Sequence, residues 1–203
     1  MINRNRLVLT GLCFLFAAAT RLPAQGNTAE IFGGYQYSKF NPVTPLPKEN
    51  MNGWYAGASG YMTRHIGVSA EIGAIFGDAA APSSIGGTAL NMKTYSYLAG
   101  PVFRVLDTKK AQVAVKWLLG GAFGQANLPA NTPPDKIFAL GQAGYAGFNQ
   151  TKFAMLFGVP IDYSVSKLVA FRVEPGVFIS DFNKTKQGNF RISFGPVFRF
   201  GGK

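Results

Sequence analysis

Proton transfer and nucleophilic attack near neutral pH need an imidazole, a thiolate or a carboxylate with an unusual environment. The 203-residue chain has one histidine, His65, and one cysteine, Cys13. A transition-metal site of the ordinary kind needs three or four such ligands, so none is expected. His65 falls in a predicted tight turn, where a histidine ordinarily meets solvent. Gly141, Gly144 and Gly147 have roughly the spacing of a dinucleotide loop, but no strand-turn-helix unit surrounds them. No catalytic residue, cofactor or metal is expected. The charges worth attention stand inside apolar stretches: Glu71, Arg104, Lys116, Asp162, Arg172, Glu174, Arg191 and Arg199. Acids and bases at such positions can neutralise one another in an interior, and an ion-pair network or a conduction path is the chemistry they offer.

The stretches that carry them alternate with period two, the mark of strands with two unlike faces. In Asn189 to Phe200, Phe190, Ile192, Phe194, Pro196, Phe198 and Phe200 share one face, with Arg191, Ser193, Gly195, Val197 and Arg199 on the other. Leu168 to Ser180, Lys152 to Ser164, Gln112 to Gln125, Lys93 to Val105 and Ile66 to Gly77 repeat the pattern. Ala29 to Phe40 and Gly53 to Met62 complete eight strands, with their phase left open. The connections alternate long and short. The long ones are Asn41–Met51, Asp78–Leu90, Asn127–Thr151 and Asp181–Gly188, rich in Pro, Gly, Asn and Ser. The short ones surround Thr63 to His65, Asp107 to Lys110 and Val165 to Lys167. If Ile137–Phe148 forms a further hairpin, the count becomes ten. Four in-strand prolines (Pro101, Pro160, Pro175 and Pro196) conflict with a simple ladder, because proline cannot donate to it.

Charge placement decides which face is outside. The in-strand acids and bases fall on the small-residue face, which is rich in Gly and Ala. A basic residue on a lipid-facing wall at mid-depth costs about 2–4 kcal/mol. A narrow eight-stranded interior, by contrast, demands small residues. The strands run near or above the ~9–11 residues of a tilted transmembrane strand, against ~5–6 for common soluble strands. Composition agrees: only 14% of residues are charged, while Gly numbers 25 and Phe 18. An ordinary soluble domain carries roughly 25% charged residues. Tyr35, Tyr37, Trp54, Tyr61, Tyr163, Phe198 and Phe200 lie near strand ends as candidates for interfacial girdles.

The N-terminus reads as an export signal, with Arg4 and Arg6 before an apolar run from Leu7 to Thr20. Cleavage after Ala24 gives a signal at residues 1–24 and a barrel domain at residues 25–203. Cys13 leaves with the signal. Loss of Arg4, Arg6 and Arg21 takes 20 basic residues to 17 against 9 acids, so the mature chain stays basic. That charge suits anionic lipid or polysaccharide. There is no basic run to suggest nucleic acid.

Ser193-Phe194-Gly195-Pro196-Val197-Phe198-Arg199-Phe200 resembles the C-terminal assembly signal of bacterial outer-membrane β-barrels. Ser193, Gly195, Phe198 and Phe200 stand at its polar, glycine and aromatic positions, although Gly201-Gly202-Lys203 follow where the family ends on the aromatic. Gly100-Pro101-Val102-Phe103-Arg104 recurs as Gly195-Pro196-Val197-Phe198-Arg199. Residues 28–200 are similar to the small outer-membrane β-barrel family of the OmpA transmembrane domain and OmpX. The resemblance implies an all-β, eight-stranded antiparallel up-and-down transmembrane barrel in the cell outer membrane. Implied partners are outer-membrane lipid, lipopolysaccharide and the barrel-assembly machinery, with loops exposed outside the cell and no catalysis. Some members are lipid A-modifying enzymes, a second reading that His65 alone would have to support. A third is a soluble lipocalin-like carrier. Asn52-Gly53-Trp54-Tyr55 is similar to the lipocalin Gly-x-Trp motif, with Asn52 in place of the glycine.

Overall fold

The computed structural model describes residues 29–41, 49–80, 89–128, 132–142, 148–181 and 187–201. The N-terminal signal expectation, including Cys13, and much of the predicted long loops lie outside these residues. Nine strands and one helix form: β1 (Ala29–Phe40), β2 (Glu49–Tyr61), β3 (Ile66–Ala80), β4 (Ala89–Asp107), β5 (Ala111–Asn127), α1 (Pro134–Gln142), β6 (Phe148–Gly158), β7 (Ile161–Ser164), β8 (Val169–Ser180) and β9 (Gln187–Phe200). Each pairs antiparallel with its neighbours, and β9 pairs with β1, so the sheet closes on itself.

The nine strands make eight staves. β6 and β7 both lie between β5 and β8, and they are one stave interrupted at Val159 and Pro160. Lys116 opposite Gly158 and Val113 opposite Ile161 keep one register across the gap. Pro160 has no N–H to give. Its carbonyl instead accepts from Ala114 N at 2.9 Å, and Val159 N donates to Pro175 O at 2.9 Å. The ladder is therefore pierced but not shifted. A real shift occurs between Arg104 and Leu106 of β4, where one extra residue is accommodated opposite β5. The bulge leaves both Val105 and Leu106 exposed while Arg104 points inward.

Several features differ from the sequence expectation. β2, β6 and β9 begin inside predicted loops, at Glu49, Phe148 and Gln187, and β3 and β4 run past the predicted loop boundaries to Ala80 and from Ala89. Alternation continues there, with Leu90 and Thr94 buried and Asn91 exposed. The outward residues have turned polar, which hides the pattern from hydropathy. The extra hairpin at Ile137–Phe148 does not form, because Ile137 to Gln142 are helical in α1. Pro133 and Pro134 preset a helical start, and Asp135 suits the first turn. The Lys136 and Ile137 amides both donate to Pro133 O at 3.1 Å.

Apolar side chains cover the outer wall. Ile31, Val68, Ile72, Tyr97, Trp117, Leu119, Phe157 and Phe171 are all exposed, while Glu30, Glu71, Lys116 and Arg172 are buried. A soluble barrel has the opposite polarity, and an apolar surface this continuous does not stay in water. Aromatic pairs line the wall, with Tyr35 and Phe194 at 5.2 Å and Phe76 edge-on to Tyr95 at 6.0 Å. Toward the loop end, Tyr35 donates to Asn52 and Tyr37 to Asn50, marking where the wall turns polar. Tyr61, a girdle candidate, instead faces the lumen with 2% exposure. Its phase on β2 was open in the sequence, and Arg104 beneath its ring accounts for the inward position.

The outer wall generates a prediction. Leu119→Arg, at the middle of β5, should destabilise the bilayer-inserted barrel by about 2–4 kcal/mol, against under about 1 kcal/mol for Asn127→Arg at the rim. Reversible urea unfolding from vesicles measures both, and equal costs would contradict the assigned faces.

Candidate functional site

Within each of two clusters every inward charge comes from a different stave, so the barrel's closure is what brings them together. Four form a ring. Lys116 of β5 places Nζ 2.6 Å from Glu71 Oε2 of β3 and 2.8 Å from Glu174 Oε2 of β8. Arg191 of β9 spans the same two acids, at 2.5 Å from Glu71 Oε1 and 2.9 Å from Glu174 Oε1. Two bases and two acids leave the ring formally neutral. All four side chains are at most 2% exposed. Gly158 makes the space: a Cβ there would lie 2.9 Å from Glu174 Oε1 and crowd the Lys116 stem.

A second cluster holds three guanidiniums and two carboxylates. Glu30 Oε1 accepts from Arg104 at 2.7 Å, and Glu30 Oε2 accepts from Arg172 at 3.0 Å. Asp162 takes Arg172 in two-point contact, 2.7 Å from Nε and 2.9 Å from Nη2. Arg199 donates to Asp162 at 3.0 Å and to Ser164 Oγ at 2.8 Å, and it lies 3.5 Å from Glu30. Planar guanidinium forks suit such shared carboxylates, which a lysine would meet only as a point charge.

Aromatic rings hold the remaining positive charge. Phe32 stands between the clusters, 4.5 Å from the Arg172 guanidinium and 5.2 Å from the Lys116 ammonium. Arg104 stacks on Tyr61 at 3.5 Å, and Arg191 lies 5.8 Å from the Tyr55 ring. These contacts bring a cation within reach of a π-face in a desolvated place. Gly57 leaves room for the Phe32 ring, which a Cβ at that position would strike. Beside the charges, Leu98, Leu118, Leu156 and Phe178 pack with Ala122 and Ala154 into an apolar plug. A cavity of about 10 Å³ lies among Gln36, Ser38, Thr94, Ser96, Phe178 and Arg191, and it has room for about one water. A side chain lining a water-filled channel is wetted by it. The ring residues are not, so the lumen is shut at their level.

All eight sequence-selected charges thus lie inside, divided four and four between the clusters. Glu30 was absent from that set because the phase of β1 was open. The excess of five bases over three acids was a signal that another carboxylate was needed. Its register partner on β9 is Arg199. The terminal-motif residues lie on β9, which pairs with both β8 and β1. Ser193 is buried and Phe198 and Phe200 are exposed on the outer wall. Gly195 presses on the β1 backbone at Gly33 and Gly34, where any Cβ would collide. His65 sits in the first turn, its Nδ1 3.1 Å from Arg104 O. At the rim, burial pushes the Asp107 carboxyl up. Hydrogen bonds from Arg64 and Gln112 outweigh it and hold the group below the usual carboxylate range.

No protein-family model and no curated protein matches the chain. Solved structures do. Ail, the attachment invasion locus protein of Yersinia pestis, aligns with TM-score 0.58 and 17% identity over 87% of this chain and 100% of that one. The fold is that of the small outer-membrane β-barrels. Neisserial surface protein A aligns with TM-score 0.58 at 13% identity, covering 87% of this chain and 98% of that one. OprG from Pseudomonas aeruginosa aligns with TM-score 0.57 at 10% identity, covering 87% and 97%. A further structure holds Ail in complex with the heparin analogue sucrose octasulfate, with TM-score 0.56 and 17% identity over 87% and 100%. At these identities, what the barrels share with this chain is architecture.

Removing one partner of a buried ion cluster strands the others. Glu30→Gln leaves three guanidiniums with one carboxylate and should cost about 3–5 kcal/mol of unfolding free energy. A shift in the urea midpoint within vesicles reads it, and an unchanged midpoint would mean that Glu30 contributes nothing net.

Proposed function

We propose that the chain is an outer-membrane β-barrel with a structural or surface-interaction role and no catalysis. The carrying observation is the inverted polarity of a closed barrel: apolar residues on the wall and paired charges in the lumen. In this reading the wall anchors the protein in outer-membrane lipid beside lipopolysaccharide. The ion clusters plug the lumen rather than conduct, and the loops provide the working surface outside the cell. The motif on β9, with Ser193, Gly195, Phe198 and Phe200, is the segment offered to the barrel-assembly machinery during insertion. Its steric fit to β1 supports a role in closure.

The net charge of +11 on the chain and the sulfated-sugar complex of Ail support a polyanionic glycan as one class of loop partner. The lipocalin-like reading is disfavoured because the space a carrier would leave for an apolar ligand is filled by charge and by the Leu98, Leu118, Leu156 and Phe178 plug. The lipid A-modifying reading rests on His65, which lies at the short-turn rim with a backbone carbonyl as its ring partner.

On SDS gels the folded protein should migrate differently unboiled and boiled, and it should stay in the membrane pellet after carbonate washing. Recovery in the soluble fraction with no mobility shift would overturn the membrane reading.

A further inference from the structure

The three short turns share one construction. Thr63-Arg64-His65-Ile66, Thr108-Lys109-Lys110-Ala111 and Ser166-Lys167-Leu168-Val169 each place a hydroxyl residue first, a base second and the start of the next strand fourth. In each, the first hydroxyl accepts from the fourth residue's amide, at 3.0 Å in all three. In each, a backbone amide also closes the turn: Thr63 N to Ile66 O at 3.2 Å, Thr108 N to Ala111 O at 2.9 Å and Ser166 N to Val169 O at 2.9 Å. The hydroxyl is consumed in fixing the turn, and the base beside it is left exposed at the tip.

The turns are also tied to the staves beside them. Arg104 N donates to His65 O at 2.8 Å, Ser164 N to Lys110 O at 2.8 Å and Arg199 N to Leu168 O at 2.8 Å. Arg64 reaches from the first turn to Asp107 beside the second at 3.0 Å. The bases are therefore carried on one braced rim rather than on independent loops. Arg64, Lys109, Lys110 and Lys167 meet one carboxylate among the described turn residues, Asp107.

The shoulders of the same turns are aliphatic and exposed: Met62 and Ile66, Val105 and Leu106, Val165 and Leu168. They continue the apolar wall to the foot of each base. An aliphatic shoulder in the acyl region with a cation at the tip is the arrangement of an interfacial anchor facing anionic headgroups. Short turns lie on the periplasmic side of such barrels, and that leaflet presents phosphate-bearing lipids.

We infer that the three turns form a docking ring for anionic phospholipid headgroups of the adjacent leaflet. The inference rests on the membrane reading proposed above. The shoulders choose lipid over a soluble acidic polymer, because they place the bases at the hydrocarbon boundary and not above it.

The test compares spin-labelled phosphatidylglycerol with spin-labelled phosphatidylcholine, each at trace level, around the barrel in phosphatidylcholine vesicles. The immobilised boundary fraction should favour phosphatidylglycerol by about threefold at low salt and lose the preference in 0.5 M NaCl, as expected for cations near a headgroup plane within a Debye length. Lys109→Gln/Lys110→Gln/Lys167→Gln, which spares the Arg64–Asp107 pair, should bring the ratio to about one. Lys39→Gln/Lys93→Gln at the loop end should leave it unchanged. A preference that survives the triple substitution would overturn the ring. So would binding of polyglutamate through these lysines without any lipid preference. Both variants should keep the heat-dependent gel shift. Absence of that shift and of a boundary signal in the unsubstituted protein would instead refute the membrane reading itself.

Discussion

A charged side chain cannot rest against hydrocarbon at mid-depth without a cost of a few kcal/mol, and most of this molecule follows from that one constraint. Nine charges stand on the staves at positions where the wall meets lipid on one side and a narrow lumen on the other. They point inward, and alternation then forces every neighbouring residue outward. The outer wall is apolar because the lumen is charged, and the reverse. A one-residue slip of any stave would exchange its whole set of faces, so the ion clusters also act as register marks for β3, β4, β5, β8 and β9.

The lumen shows what such an interior requires beyond pairing. Burying an ion pair is not by itself stabilising, and the desolvation cost must be offset by more than one partner for each charge. Here Glu71 and Glu174 each hold two bases, and Glu30 and Asp162 are shared by several guanidiniums. Phe32, Tyr55 and Tyr61 offer π-faces to the cations. Glycines at positions 57 and 158 open the volume for these groups. The same logic carries the C-terminal strand: Arg199 joins Asp162 and Glu30 from within β9, so the stave that closes the cylinder is also bound into its interior.

The eight staves, the tight turns and the orientation of six strands were legible because large residues alternate with small or charged ones. The signal failed where the lumen itself takes a large ring. Phe32, Tyr55 and Tyr61 point inward, so β1 and β2 carry bulky residues on both faces and show no clear phase. Glu30 was lost with them. The upper ends of β3 and β4 escaped because, beyond the hydrocarbon, the outward side need not be apolar. The partners within each cluster were not readable at all. Which charges meet depends on the stagger of strands around the barrel, and no single strand's sequence contains that. The repeated turn construction was in the sequence, but its shared geometry became visible only with the hydroxyl-to-amide bonds.

The central claim is that the alternation runs lipid-out and charge-in, and the chain supplies its own reporters. It has two tryptophans, Trp54 on β2 and Trp117 on β5, both on the outer wall at 44% and 53% exposure. Quenching by acyl-brominated phospholipid, compared with quenching by aqueous iodide, measures their surroundings in Trp54→Phe and Trp117→Phe single-tryptophan proteins. Both tryptophans should be quenched strongly by the brominated lipid and little by iodide. Strong iodide quenching, or shielding of both tryptophans from either agent, would contradict the assigned faces and with them the membrane barrel.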